Sequence, residues 1–129
     1  MSKLPHTTER RKVLVVTDEW LAPSLTLQLQ TEGHDVALAA KRSTNILKGT
    51  IKRIPYADRM EYAQSCDLIV YEDTSNGGEP SELRLDGLSV IGRDKNTDRL
   101  ELDRCWSSEL ARKCGILTPE IIKIGRAHV

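Results

Sequence analysis

The sequence predicts an α/β fold built on an open, parallel β-sheet with flanking helices. The run Val13–Val16 is wholly apolar, which is typical of a central strand buried on both faces. A second strand-like run, Asp35–Ala40, follows a helical segment, and strand–helix–strand is the unit from which parallel sheets are built. With 129 residues the chain has room for one such domain.

The first helix is predicted to run from Pro23 to Glu32. Proline suits a first helical turn, and the following Gly33 suits a C-terminal cap. Leu25, Leu27 and Leu29 alternate as they would in a strand. The bracketing proline and glycine and the neighbouring strands nevertheless favour a helix.

Shorter elements complete the predicted sheet and its helices. They are a short strand near Ile51–Ile54, a helix over Tyr56–Ser65, a strand over Asp67–Tyr71, a helix around Ser81–Leu85 and a strand over Leu88–Ile91. The stretch Glu72–Pro80 is rich in Gly, Ser, Asn and acids, which predicts a loop. It follows the carboxyl end of a strand, where open α/β sheets bind ligands. Together these elements indicate a Rossmann-like open parallel sheet.

One long helix is predicted near the end of the chain. Asp94–Asn96 would form a turn, Thr97 would cap the helix, and Gly115 would close it after Cys114. Apolar side chains recur every four residues along it, at Leu102, Trp106, Leu110 and Cys114. That spacing predicts one apolar stripe packed on the sheet, with Trp106 in the core.

Composition excludes several classes of protein. Nineteen basic residues balance nineteen acidic ones, whereas domains that bind nucleic acid by neutralising phosphates usually carry a basic excess. No apolar run approaches a membrane span. The cysteines, Cys66, Cys105 and Cys114, lack the spacing of a disulfide framework or a zinc site, and Cys66 and Cys114 are predicted to be buried. We therefore expect a cytoplasmic protein that binds neither nucleic acid nor a membrane, and we assign no catalytic or metal-binding residue.

Both ends of the chain are set apart from the predicted fold. Residues 1–11 are expected to form a flexible leader. The last six residues, 124–129, read Ile-Gly-Arg-Ala-His-Val, which is also one translation of a common sequencing adapter, ending at a stop. We therefore expect residues 124–129 to be an adapter scar, and such segments carry no information about a fold.

The segment Gly87–Pro119 carries a family resemblance. Within it, Val90–Gly92 gives a Val-Ile-Gly turn, Leu100 and Glu101 give a Leu-Glu pair, and Gly115–Pro119 gives a Gly-Ile-Leu-Thr-Pro ending. These features resemble the junction in phosphoribosylamine–glycine ligases, which belong to the ATP-grasp class, between the first domain and the ATP-grasp domain.

The resemblance implies a domain order. Residues 12–96 would form the Rossmann-like domain that precedes the ATP-grasp fold, and residues 97–123 the linking helix and the start of the ATP-grasp domain. The remainder of that domain would lie beyond this chain, so the fragment alone is expected to be inactive. In the complete enzyme, ATP and Mg²⁺ would activate a carboxylate to an acyl phosphate, which an amine attacks. Arg104 matches the place of a basic helix residue that reaches the nucleotide phosphates.

The sequence also departs from the family. After the first strand, the family's glycine-rich turn ending in Arg-Glu-His is replaced by Thr17, Asp18, Glu19 and Trp20, and the family's later Gly-Pro-Glu by residues 72–78. Acidic side chains there would repel a phosphate. The identity of the substrate therefore stays open, and a ligase that acts on a different amine is one of the alternatives. We take as candidate substrate-binding residues Thr17, Asp18, Gly77 and Gly78, the glycines because they let the backbone approach a ligand.

Alternatives to this interpretation come from other classes of protein. Acidic residues after the first strand and at Glu72 and Asp73 would also suit a receiver-type signalling domain, with Asp73 as phosphoacceptor. A small stand-alone binding module is a third possibility. Arg104 would equally suit a solvated helix surface, paired with Asp103, Glu101 or Ser108.

Overall fold

The computed structural model describes residues 9–18, 23–42, 48–73 and 78–120. In this part of the chain, five strands form one sheet and helices flank it. The elements in chain order are β1 (Lys12–Thr17), α1 (Pro23–Thr31), β2 (Asp35–Ala40), β3 (Lys52–Ile54), a 3-10 turn (Tyr56–Asp58), α2 (Arg59–Ala63), β4 (Leu68–Tyr71), α3 (Gly78–Leu85), β5 (Val90–Ile91), α4 (Lys95–Leu102) and α5 (Arg104–Lys113).

The sheet is parallel throughout, with the strand order β3-β2-β1-β4-β5. The central strand β1 pairs along its whole length with β2, from Lys12 opposite Asp35 to Thr17 opposite Ala40. On its other side it pairs with β4. Five of its six residues are buried, as expected for a strand covered on both faces. The predicted α/β fold with an open parallel sheet and flanking helices is confirmed.

Apolar side chains of successive strand residues alternate between two cores, one on each face of the sheet. On the first face lie Leu14, Val16, Ala37, Ala39, Ile69 and Tyr71, with Ala63 of α2 and Leu83 of α3. On the second lie Val13, Val15, Val36, Leu38, Ile51 and Val70, against which Leu27 and Leu29 of α1 pack. The leucines whose alternation suggested a strand therefore belong to a helix, as the flanking proline and glycine predicted.

Glycines close two of the predicted helices. Gly33 follows α1 with φ +92, and its N–H donates to the carbonyl of Gln30 at 3.0 Å. The next N–H, from His34, donates to the carbonyl of Leu29 at 3.2 Å. This pair of bonds needs a left-handed residue at the helix end, which glycine adopts without steric cost. Gly115 closes α5 in the same way.

The single helix predicted over 97–114 is wrong, because the segment forms two helices that break at Asp103. Asp103 leaves the helical conformation with φ −107 and ψ 87, and its side chain accepts from the N–H of Trp106 at 3.0 Å, starting α5. The cap of the first helix is Asp94, which accepts from the N–H of Thr97 at 2.7 Å. Thr97 is thus inside α4, and Lys95 and Asn96 are helical, not part of a turn.

The break also removes the predicted apolar stripe. None of the ten residues of α5 is buried, Leu102 is 60% exposed, and Cys114 is exposed. Trp106 is half-buried, with the Arg99 guanidinium 4.5 Å from its ring centre. The predictions of a core Trp106 and a buried Cys114 are therefore wrong, whereas Cys66 is buried as predicted. Among the residues with described positions, no helix is long and apolar enough to cross a membrane.

Candidate functional site

The strand order reverses between β1 and β4. From β1 the chain proceeds outward through β2 to β3, then returns to the other side of β1 to form β4 and β5. In open α/β sheets, the crevice at the carboxyl ends of the two strands flanking this switch point is where ligands bind. Here Thr17 ends β1 and Asp18 follows it, while Glu72 and Asp73 follow β4. These four residues define the candidate site.

The order also separates two of the folds considered from sequence. Receiver-type domains place the first strand between the second and third, in the order 2-1-3-4-5. In this chain β3 lies at the edge of the sheet, beyond β2, which is the Rossmann arrangement. The topology therefore disfavours a receiver domain and favours the Rossmann-like prediction.

Asp18 is held from three directions. Its backbone N–H donates to the carboxylate of Asp73. Its own carboxylate accepts from the hydroxyl of Tyr56 at 3.3 Å and lies 3.8 Å from the ammonium group of Lys41. Burial, together with the nearby charges of Asp18 and Glu79, raises the pKa of Tyr56 to about 12, although Arg59 opposes the shift. Tyr56 is therefore a neutral hydrogen-bond donor to Asp18 at physiological pH.

Thr17 and Glu72 form the deeper half of the site. Thr17 is only 1% exposed, and its side chain hydrogen bonds to the carboxyl group of Glu72. Burial raises the pKa of Glu72, and the negative charge of Asp73 adds to the increase, while the hydrogen bond from Thr17 opposes it. The structure thus brings the predicted residues Thr17 and Asp18 together with Glu72 and Asp73. A substrate-binding role for Thr17 and Asp18 remains a prediction.

The predicted glycine pair falls in two different settings. Gly77 lies outside the described residues. Gly78 is the first residue of α3, so the prediction that the loop extends to Pro80 is wrong. No atom lies within 4 Å of the position that a Cβ on Gly78 would occupy, and the residue faces a cavity of about 530 Å³. Pro80 lies in the first turn of this helix, where proline is tolerated.

The same cavity extends from Gly78 to α4 and to Asp103, the residue before Arg104. Its lining consists of Gly78, Lys95, Asn96, Asp98, Arg99, Leu102 and Asp103. Arg104 follows directly and is exposed at the start of α5. Two of the partners considered for Arg104 from the sequence form other ion pairs, since Asp103 pairs with Arg99 and Glu101 pairs with Arg93. The contact of Arg104 with nucleotide phosphates remains a prediction.

A network on β4, α2 and α3 was not predicted. The guanidinium of Arg59 donates two hydrogen bonds to Glu79, one of them from Nε at 3.0 Å, and stacks 3.9 Å from the ring centre of Tyr56. The hydroxyl of Tyr71 donates to the same carboxylate at 2.9 Å. Burial alone would raise the pKa of Glu79, but the hydrogen bonds from Arg59 and Tyr71 and the charge of Arg59 lower it. The network thus reaches the site through Tyr56, which stacks on Arg59 and donates to Asp18.

Close packing explains why glycine occurs at position 92 of the family-like junction. A Cβ at this position would lie 2.9 Å from the Cβ of Tyr71 and 3.5 Å from Pro80. Real Cβ atoms do not approach so closely, so the turn after β5 requires glycine. The glycine of the Val-Ile-Gly turn that carried the resemblance is therefore required by its packing against Tyr71 of β4 and Pro80 of α3.

Comparison with known proteins supports the same fold. No protein-family model matches the sequence, and no curated protein matches it. Among solved structures, the crystal structure of N5-carboxyaminoimidazole ribonucleotide synthetase from Thermotoga maritima matches with a TM-score of 0.66. The fold is shared. The two sequences are 17% identical, and the match covers 85% of this chain and 32% of the synthetase, so the chain spans about a third of that protein.

Proposed function

We propose that this chain is the substrate-side domain of an ATP-grasp ligase that joins a carboxylate to an amine. The observation that carries the proposal is the shared parallel sheet and helices, which match a synthetase over 85% of this chain. Further support comes from the sequence of the junction, residues 87–119, which resembles the corresponding junction of phosphoribosylamine–glycine ligases. Free thiols at all three cysteines are consistent with the cytoplasmic setting that the proposal includes.

The residues at the switch point fit an amine better than a phosphate. Asp18, Glu72 and Asp73 place three carboxyl groups at the carboxyl ends of β1 and β4. An ammonium group would be attracted there, whereas a phosphate would be repelled. We assign this crevice to the amine of the substrate, with Asp18 oriented by Tyr56 and Lys41. Because the pKa of Glu72 is raised, its carboxylate accepts a proton more readily than an ordinary carboxylate does. A substrate ammonium group must lose a proton before its nitrogen can act as a nucleophile, and Glu72 would accept that proton.

The proposal assigns the metal of the ligase to residues other than the carboxylates at the switch point. No three His, Cys, Asp or Glu side chains in the described ranges converge as metal ligands. The oxygens of Asp18 and Asp73 are instead engaged by Tyr56, Lys41 and the Asp18 N–H. In the proposal, as the family resemblance implies, ATP and Mg²⁺ are held by an ATP-grasp domain, with Arg104 of this chain directed to the nucleotide phosphates.

The finer identity of the ligase rests on two similarities. The junction sequence resembles phosphoribosylamine–glycine ligases, and the fold neighbour is by its name a synthetase of N5-carboxyaminoimidazole ribonucleotide. The first name contains phosphoribosylamine and the second a ribonucleotide, and both of these compounds are ribose phosphates. We propose a ligase of this kind, in which the acidic turn at Asp18 selects an amine different from that of the phosphoribosylamine–glycine ligases.

The test is ligation by the product of the complete gene that encodes this chain. ADP release is measured with ATP and Mg²⁺ against panels of amines and carboxylates, each offered alone and in pairs. The proposal predicts release that needs one amine and one carboxylate together. Asp18→Asn should raise the KM for the amine with little change in kcat, while the exposed Asp86→Asn should change neither. ADP release that no pair stimulates, or acetyl-phosphate labelling of Asp73, would overturn the proposal.

A further inference from the structure

One guanidinium group, that of Arg59, contacts both Glu79 and Tyr56. It donates two hydrogen bonds to the carboxylate of Glu79, at the start of α3. Its Nη1 atom donates to the backbone carbonyl of Tyr56 at 2.8 Å, and its face stacks on the ring of the same tyrosine. The Arg59 side chain is 19% exposed, so these contacts are largely shielded from water.

Tyr56 is therefore held at two points by one side chain. A hydrogen bond holds its backbone, and the stacked guanidinium holds the plane of its ring. A planar guanidinium can make a two-pronged ion pair and stack on a ring at the same time, which the ammonium group of a lysine cannot do. The hydroxyl at the far end of the Tyr56 ring donates to Asp18 at 3.3 Å, so a shift of Arg59 would displace that donor.

The hydroxyl of Tyr56 matters because Asp18 has a second, competing partner. One carboxylate oxygen, Oδ1, accepts from Tyr56, while the other, Oδ2, lies 3.8 Å from the ammonium group of Lys41, beyond hydrogen-bond distance. Without the hydroxyl, the carboxylate would be free to turn and to close this gap. A closed ion pair with Lys41 would neutralise the charge that attracts an ammonium group.

We propose that Arg59 is a positioning residue of the amine site, which acts through Tyr56 to keep the Asp18 carboxylate open to an ammonium group. By its charge alone, a cation near an acidic crevice would weaken the binding of a second cation. The two effects of Arg59 thus have opposite signs, and removal of its side chain distinguishes them. The role of Arg59 rests on the proposed function only in that the group bound at Asp18 is an ammonium group.

The experiment titrates the full chain with methylammonium chloride at constant ionic strength and follows the amide chemical shifts of Asp18 and Asp73 by NMR. Arg59→Met should weaken binding by roughly fivefold or more. Arg59→Lys keeps the charge but offers no planar pair of donors, so it should lose about as much. Unchanged or tighter binding in Arg59→Met, full binding in Arg59→Lys, or no binding by folded wild-type protein would each overturn the proposed role.

A double-mutant cycle tests whether the effect passes through Tyr56. Tyr56→Phe removes the hydroxyl and should weaken methylammonium binding about as much as Arg59→Met does. The double variant should bind no more weakly than either single variant, because both changes release the same carboxylate. Losses that add in full would show that Arg59 does not act through Tyr56.

Leu29→Ala separates positioning from a general loss of stability. Leu29 packs against the core on the other face of the sheet, so its truncation should lower the urea midpoint and leave the methylammonium affinity unchanged. Equal losses of affinity in Leu29→Ala and Arg59→Met would attribute the effect to stability and contradict a positioning role. Circular dichroism verifies that each variant is folded, and Arg59→Lys decides the question if Arg59→Met does not fold.

The outcome is separable from that of the ligase test. Methylammonium binding with the expected pattern, together with a complete protein that performs no ATP-dependent ligation, would retain the role of Arg59 and reject the ligase. Ligation whose KM for the amine is unchanged by Arg59→Met would retain the ligase and reject the role of Arg59.

Discussion

The backbone N–H of Asp18 donates a hydrogen bond to the carboxylate of Asp73. These residues follow β1 and β4, the strands that flank the switch point, so this hydrogen bond joins the two sides of the crevice. The strands are already paired along their length, but pairing ends at Val16 and Tyr71. The bond thus holds the segment in which a ligand would be bound.

Replacing Asp73 by alanine should therefore destabilise the protein. A hydrogen bond to a charged acceptor contributes about 1.5–3 kcal/mol, and the donor of Asp18 is partly buried, so we expect a loss in this range. Urea unfolding measures it. Asp73→Asn keeps an oxygen acceptor and should lose much less, and a wild-type midpoint for Asp73→Ala would contradict the role given to this bond.

Gly92→Ala should also destabilise the fold. The added methyl would lie 2.9 Å from the Cβ of Tyr71, and relieving such a contact in a packed region costs about 1–3 kcal/mol. Gly78→Ala is the matched control, because nothing lies within 4 Å of its Cβ position. Urea midpoints that fall equally in both variants, or in neither, would show that the approach of Gly92 to Tyr71 is not what requires glycine there.

Much of the sheet could be predicted because it depends on local pattern. Val13–Val16 is uniformly apolar since both faces of β1 are covered, and the carboxyl ends of parallel strands share one edge, so Thr17 and Asp18 could be placed near Glu72 and Asp73 before any contact was known. The helix break was missed because apolar residues at a spacing of four read as one helix. Asp103 ends α4 and caps α5, and a capping aspartate is hard to distinguish from a solvated one in sequence.

The Arg59–Glu79 pair shows what the sequence could not provide. The two residues are twenty positions apart, on α2 and at the start of α3, and they meet only because both helices cover the same face of the sheet. No local pattern marks either residue as more than a surface charge. The orientation of Tyr56 over the guanidinium follows from that tertiary arrangement, as does the hydrogen bond of Tyr56 to Asp18.

The Arg59–Glu79 pair should make stability fall in acid. The folded-state pKa of Glu79 lies below its ordinary value of 4.5, so the contribution of the pair is complete above pH 4.5 and is lost as the pH falls through the folded pKa. The side chains are 19% and 23% exposed, and we expect Glu79→Gln to cost about 1–3 kcal/mol at pH 7 and progressively less below pH 4.5.

Unfolding free energies from pH 3 to 7 test this expectation. The exposed pair of Arg11 and Glu9 supplies the control, because Arg11→Gln should cost about 0–1 kcal/mol at any pH. A cost of Glu79→Gln that does not shrink in acid would show that the carboxylate charge is not what stabilises the network.

Glu72 should behave in the opposite sense. Burial raises its folded-state pKa above the ordinary value of 4.5, so ionisation is harder in the folded protein than in the unfolded chain. Below pH 4.5 the carboxyl is neutral in both states, and its destabilising effect appears as the pH rises through 4.5 and is complete above the folded pKa. Glu72→Gln removes the charge and keeps an oxygen for Thr17, so its stability relative to wild type should increase from pH 4 to pH 7, as measured by urea unfolding. In Asp73→Asn protein the same Glu72→Gln change should gain less, because the charge of Asp73 contributes to the shift; an equal gain in both backgrounds would mean that burial alone acts on Glu72.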